Sequence, residues 1–252
     1  MAFPVLELST PFGLAHRGGA VGAPENTLAA FVSATELGYR FLETDVHRTS
    51  DGVLVAFHDD DLSRVAGIEG RIADRTWAEV SQIELEGDHR IPRLIDLLSA
   101  FPDARFNIDP KADDAVEPLV AVISEFEAVD RVNIGAFSEV RITRMRRDLG
   151  PSLCTSPGPA GLVRVLLAAY LFPKWRPPYG CVQIPTRQYG LNLSGKGLIR
   201  RLKRLGLQVH YWTINTEAEM VRLVDNGADA IITDEIELLK TVLTRRGEWS
   251  ES

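Results

Sequence analysis

Cysteine is scarce in this chain: the only two, Cys154 and Cys181, have apolar neighbours and no Cys-x-x-Cys spacing. That favours buried free thiols, as in a reducing compartment, over a disulfide or a zinc site. Positive charge is also short. Twenty-eight Lys and Arg against 35 Asp and Glu leave a net charge of −7, so a nucleic-acid partner is not expected and any anionic ligand needs its own basic cluster. Long apolar runs are missing as well. The richest, "LVRVLLAAYLF" at 162–172, contains Arg164 and falls far short of the roughly 20 residues that cross a bilayer. The opening "MAFPVLELSTP" has neither the basic start nor the apolar core of a secretory signal. These absences predict a cytoplasmic protein with no stable membrane anchor. They do not decide between a monomer and a homo-oligomer.

No repeat, low-complexity tract or linker divides the 252 residues, so one domain over 1–252 is expected, with 45% hydrophobic residues to build its core. Short apolar runs alternate with helical patterns. The runs are "FGLAH", "RFLETDV", "ARFNID", "RVNIGAF", "SLCTS", "CVQIP", "QVHYWTI" and "DAIITD". Eight strands alternating with helices predict an α/β fold, a (β/α)8 TIM barrel, with an open doubly wound sheet as the alternative. In the first helix, "NTLAAFVSATELG", the periodicity assigns Leu28, Phe31, Thr35 and Leu37 to one face, with Gly38 as the stop.

The run "VLVAFH", residues 53–58, breaks the parallel scheme, because only "HRTSDG" separates it from the second strand. A parallel crossover needs a dozen or more residues. The segment must therefore return as an antiparallel arm turning at Ser50-Asp51-Gly52. Counting back from the turn sets Val46 opposite Ala56 and carries His58 to Thr44 and Asp45. Residues 59–104 then read as an insertion after the second barrel strand, standing on the barrel mouth in place of the usual helix, with helices at "TWAEVSQIEL" and "RLIDLLSAF".

Glu43 and Asp45 are two apart in a strand and so share a face, which in a barrel strand is the interior. Two carboxylates so close resist ionisation unless a cation joins them. Oxygen donors favour Mg²⁺, Ca²⁺ or Mn²⁺. Asp109, at the end of "FNIDPK", supplies a third acid, and Lys111 lies two residues on to reach an anion held there. His16 and His58 are the histidines expected at the mouth, as acid and base near neutral pH. His47 falls in the hairpin, His89 in the insertion and His210 inside a strand. Arg17 offers a planar fork for phosphate oxygens, with Gly18 and Gly19 beside it allowing close backbone approach.

The blocks "AHRGGAVGAPENTLAAF", "ETDVHRTSDGVLVAFHDDDLSRVAG", "IDPK" and "YWTINTEAEMVRLVDNGADAIITD" resemble the glycerophosphodiester phosphodiesterase family over nearly the whole chain. The resemblance implies a TIM-barrel hydrolase that cleaves glycerophosphodiesters to sn-glycerol 3-phosphate and an alcohol with a divalent cation. By matching positions it implies Glu43, Asp45 and Asp109 at the metal, His16 and His58 as the acid-base pair, and Arg17 and Lys111 on phosphate. Glu25 and Asn26 would support the site, and Trp212 would border the substrate. Asp109 departs from the family's usual glutamate, Ala136 from its serine, and no proline follows "TD" at 233–234. Whether water or the substrate's 2-hydroxyl attacks is open, and so is which histidine is the acid, with His16 preferred.

Two rivals remain at this stage. A lysophospholipase D-type enzyme could use 162–172 and the following "PKWRPPYG" to line an acyl-chain channel. A non-catalytic glycerophosphodiester-binding protein would need no second histidine. A glycosidase using Glu43 and Asp45 is weaker still, since neighbours on one strand cannot flank a sugar bond at the roughly 5 Å or more required.

Overall fold

The structure is a computed structural model that describes residues 3–19, 22–188 and 190–250. All eight expected runs form strands: Phe12–Ala15, Phe41–Arg48, Arg105–Pro110, Val132–Ile134, Cys154–Thr155, Cys181–Ile184, Gln208–Tyr211 and Ala230–Thr233. Numbered as barrel strands 1 to 8, they pair in parallel in the order 5-4-3-2-1-8-7-6. The remaining gap, between strands 5 and 6, is spanned where the Gly180 N–H donates to the Thr155 carbonyl at 3.1 Å. A nearly closed (β/α)8 barrel results, and the open-sheet alternative is set aside. Aliphatic side chains of strands and surrounding helices form its main core, from Leu42 and Ile108 to Val182, Val209 and Leu239. Near the middle of the barrel Asn107 Oδ1 accepts hydrogen bonds from Asn133 Nδ2 at 2.6 Å and Gln183 Nε2 at 2.8 Å, which satisfies polar groups that would be costly to bury unpaired.

The antiparallel arm, Leu54–Ala56, pairs with strand 2 in the expected register, Val46 opposite Ala56. Gly52 takes a left-handed φ of 94° at the turn, and the Thr49 N–H donates to the Val53 carbonyl at 2.9 Å. Three expectations are corrected. In the first helix, Leu28–Glu36, the buried face is Ala30, Phe31 and Ala34, while Leu28 is 43% exposed, because Gly18 packs directly against Ala30 and sets which side faces the barrel. The "TWAEVSQIEL" helix stops after one turn, Trp77–Val80. The chain then bends so that Val80, Ile83 and Leu85 join Leu62 and Ile72 in a small separate core, and Glu84–Leu85 pairs with His89–Arg90 across a turn at Gly87. Nor do all of residues 59–104 stand apart from the barrel: their last helix, Leu94–Ala100, packs its Leu94, Leu97 and Leu98 into the main core, as a barrel helix does. Both cysteines are buried and free, as expected.

Candidate active site

Strands 1, 2, 3 and 8 end at one rim, and the chemistry-bearing side chains gather there. Strand 1 ends at Ala15, so His16 and Arg17 lie just beyond it, Arg17 with a left-handed φ of 53°. That turn points the Arg17 N–H at Glu43 Oε2, 3.1 Å away. Its guanidinium bonds Glu25 Oε1 at 3.0 Å and sits 3.1 Å from Asp45 Oδ2, close enough for an ion pair but with Nε–H off the hydrogen-bond axis. Gly18 and Gly19 have φ of 86° and 93°. A Cβ at Gly18 would fall 2.7 Å from the Ala30 Cβ, and one at Gly19 2.7 Å from the Ile236 Cδ1. Helix packing and backbone conformation therefore account for both glycines without recourse to a ligand.

The carboxylates lie next to these cations. Asp45 pairs in register with Asp109 on strand 3, and Lys111 Nζ sits between them, 2.7 Å from Asp45 Oδ1 and 2.8 Å from Asp109 Oδ2. Asn26 donates from Nδ2 to Asp45 Oδ2 at 3.3 Å and accepts from Thr44 Oγ1 at 2.8 Å. Burial and the nearby Asp45 charge push the Glu43 carboxyl up to about 7. Burial also raises Asp109, with Lys111 opposing. For Asp45 burial acts upward, but Lys111 and Arg17 outweigh it and hold the carboxylate below its ordinary value. Asp109 Oδ1 is buried without a hydrogen-bond partner. Among the described residues no three His, Cys, Asp or Glu side chains stand ready-grouped around a metal position, and the Lys111 ammonium lies between Asp45 and Asp109.

Each rim histidine is tied down by an acid that the sequence reading left unassigned. His16 Nδ1 lies 2.6 Å from Asp234 Oδ1, and its Nε2 lies 3.9 Å from Glu43 Oε2. Asp234 is in turn bonded by Asn215 Nδ2 at 2.7 Å. Burial disfavours the imidazolium of His16, yet the Glu43 charge and the Asp234 hydrogen bond outweigh it and raise the pKa. His58 Nδ1 lies 2.6 Å from Asp59 Oδ1, and Arg64 holds the other Asp59 oxygen at 2.5 Å. The Arg64 hydrogen bond draws Asp59 down to about 2. Arg64 also bonds both oxygens of Glu25, at 2.6 and 3.1 Å, so Glu25 joins Arg17, just beyond strand 1, to the insertion. His47, buried in the hairpin, donates from Nε2 to the His58 carbonyl at 3.1 Å. Trp212 is half-buried on strand 7's continuation, its ring 5.7 Å from the exposed Phe137 in an edge-on contact.

Asp234 was legible in principle, since it ends a barrel strand just as Asp45 and Asp109 nearly do. Asp59 stands in the run "HDDD", where nothing local singles out one of the three acids. Arg64 becomes visible only once its short helix, Ser63–Ala66, is packed beside the rim.

Paired imidazoles, buried acids and an Arg-Lys set at the strand ends of a TIM barrel define a class: barrel enzymes that act on phosphate esters. The model of the "Glycerophosphoryl diester phosphodiesterase family" matches residues 16–238. The chain is 41% identical over 242 residues to "Probable glycerophosphodiester phosphodiesterase 2" of Mycobacterium tuberculosis, covering 94% of this chain and 92% of that one. It is 29% identical to the human "Lysophospholipase D GDPD1", over 88% of this chain and 82% of that one. Among solved structures, an Oleispira antarctica phosphodiesterase in complex with the product sn-glycerol-3-phosphate superposes with a TM-score of 0.77 at 23% identity, covering 93% and 97% of the two chains. This chain belongs to the glycerophosphoryl diester phosphodiesterase family.

Proposed function

We propose that the protein hydrolyses glycerophosphodiesters to sn-glycerol 3-phosphate and an alcohol at the rim formed by strands 1, 2, 3 and 8. The observation that carries the reading is the pair of imidazoles beside one buried Arg-Lys-carboxylate cluster, each with Nδ1 bonded to an acid. A carboxylate on Nδ1 fixes ring and tautomer and leaves Nε2 free for proton transfer. His16, whose pKa the neighbouring Glu43 and Asp234 raise against burial, is assigned as the acid that protonates the departing alcohol. His58 is assigned as the base that takes the proton of the attacking hydroxyl, supplied by water or by the substrate's glycerol C2. Attack by the C2 hydroxyl passes through a cyclic phosphate that water then opens. Arg17 and Lys111 bind the non-bridging phosphate oxygens and offset the charge that builds on them. Trp212 borders the substrate.

The residues present fit a divalent cation. Their donors are all oxygen, Asp109 Oδ1 lacks a partner, and burial, aided by the Asp45 charge, raises both Glu43 and Asp109, a cost that a bound cation would offset. Glu43, Asp45 and Asp109 would hold Mg²⁺, Ca²⁺ or Mn²⁺, with Lys111 giving up its bridge between the last two and turning to substrate. When bound, the ion supplies Lewis-acid neutralisation of phosphate charge.

Small head groups are favoured over lysophospholipids. The apolar side chains expected to line an acyl channel, Val163, Leu167, Tyr170 and Leu171, lie on the solvent face of helix Pro159–Leu171, opposite its buried Val165, Ala168 and Ala169. The test is release of glycerol 3-phosphate from glycerophosphocholine beside choline release from lysophosphatidylcholine, each with and without chelator. Faster turnover of glycerophosphocholine, abolished by chelator, is expected. Substrate capture without product would leave only the binding-protein reading.

A further inference from the structure

The charge of this chain is unevenly distributed. Residues 149–216 contain nine Lys and Arg and no Asp or Glu, leaving nineteen basic residues against all 35 acidic ones elsewhere. The segment forms one flank of the barrel, strands 5 to 7 with helices Pro159–Leu171 and Lys196–Arg204, which pack on each other. On this flank Leu167, Tyr170, Leu171 and Phe172 are 57–64% exposed, and Trp175 is 38% exposed. Arg164, Leu167, Phe172, Lys174 and Trp175 line an open groove of about 880 Å³. Arg201 lies over the Tyr170 ring at 4.6 Å, and Arg164, Lys174, Arg176, Arg200 and Arg204 are exposed around these side chains. Of the nine, Lys203 alone has an ion-pair partner among the described residues, Asp229 at 2.8 Å.

We infer that this flank docks the protein reversibly on an anionic lipid surface. Exposed aliphatic and aromatic side chains in one patch are costly unless something covers them. Apolar residues with Trp at their edge, ringed by Lys and Arg, match the layering of a bilayer whose apolar interior lies beneath negative headgroups. Charge decides between occupants. A second copy presenting the same flank would bring two uncompensated basic sets together, and a nucleic acid would leave Leu167, Leu171 and Phe172 without apolar cover. An anionic bilayer satisfies both features. The docking face shares no residue with the rim cluster, so the inference stands apart from the proposed hydrolysis. It also gives the apolar helix a role on the membrane surface in place of an acyl channel.

The experiment is co-flotation of the full chain with vesicles of phosphatidylcholine alone or with 30% phosphatidylglycerol, at low and at 0.5 M salt. Binding is expected to the anionic vesicles only and to fall at least tenfold at high salt, because exposed charges are then screened. The variant L171S/F172S and, separately, K174E/R204E should each lose at least tenfold in vesicle binding while cleaving glycerophosphocholine at the parental rate. The parallel loss from an apolar and a charge variant is what a two-part surface requires. No binding to anionic vesicles at low salt, equal binding by the parent and both variants, or a concentration-dependent dimer abolished by L171S/F172S would each overturn the inference.

Discussion

At the scale of single residues, the rim works by pairing each reactive group with a neighbour of opposite need. His16 and His58 are each held through Nδ1 by an aspartate 2.6 Å away. His16→Ala and His58→Ala should each lower kcat by about 10²–10⁴-fold, the usual worth of a general acid or base, with circular dichroism and melting temperature unchanged. Asp234→Asn and Asp59→Asn should cost less, about tenfold, because they loosen orientation without removing the imidazole. Asp59 also makes a pH prediction. Its folded pKa of about 2, set first by the Arg64 hydrogen bond, lies below the ordinary 3.8, so its contribution to stability is present above that ordinary value and lost as pH falls towards 2. The melting-temperature gap between parent and Asp59→Asn, followed from pH 5 to pH 2, should therefore narrow. Asp109 makes a further prediction: added Mg²⁺ or Ca²⁺ should raise the parent's melting temperature, since a ligand bound only by the folded state stabilises it, and Asp109→Asn should abolish the rise.

At the scale of elements, position comes from turns. The hairpin returns His58 to strand 2 because Gly52 takes φ 94° and Thr49 closes the loop. The nearest atom to an added Cβ there is 3.8 Å away, so Gly52→Ala meets backbone strain alone and should cost about 1–2 kcal/mol in denaturant unfolding. Gly18→Ala meets the same strain plus Ala30 at 2.7 Å and should cost more than Gly52→Ala in the same measurement. The hairpin was legible because a two-residue side-chain period and a six-residue connection admit one geometry. The one-turn helix at Trp77–Val80 was not, because helical periodicity in "TWAEVSQIEL" competes with burial of Val80, Ile83 and Leu85 in a small core that only the folded insertion creates. The first helix misled in the same way: the small residues Ala30 and Ala34 face inward because a neighbouring glycine approaches closely, a contact that a hydrophobicity pattern does not encode.

At the scale of the whole molecule, the eight-strand alternation was fully readable, since parallel strands buried on both faces stand out as short apolar runs between amphipathic helices. The acids of strands 2 and 3 were readable from the same rule, strand ends at the rim. What escaped were the groups that reach the rim from distant sequence: Asp234 at 218 residues from His16, Arg64 at 39 from Glu25. Their roles depend on barrel closure and on the insertion's seat, which single-strand patterns do not specify. The charge asymmetry between the flank of strands 5 to 7 and the rest was present in the sequence throughout, but it acquires a face only when helices Pro159–Leu171 and Lys196–Arg204 lie side by side.

The central claim is that one basic-acidic rim cluster with two anchored imidazoles cleaves glycerophosphodiesters. It is tested most directly by following glycerol 3-phosphate release from glycerophosphocholine by the parent, His16→Ala and His58→Ala, in divalent cation and in chelator. Product from the parent with cation, none in chelator, and a drop of at least a hundredfold in both variants that remain folded is the predicted result. Near-parental release from either folded variant, or full release in chelator, would contradict the account.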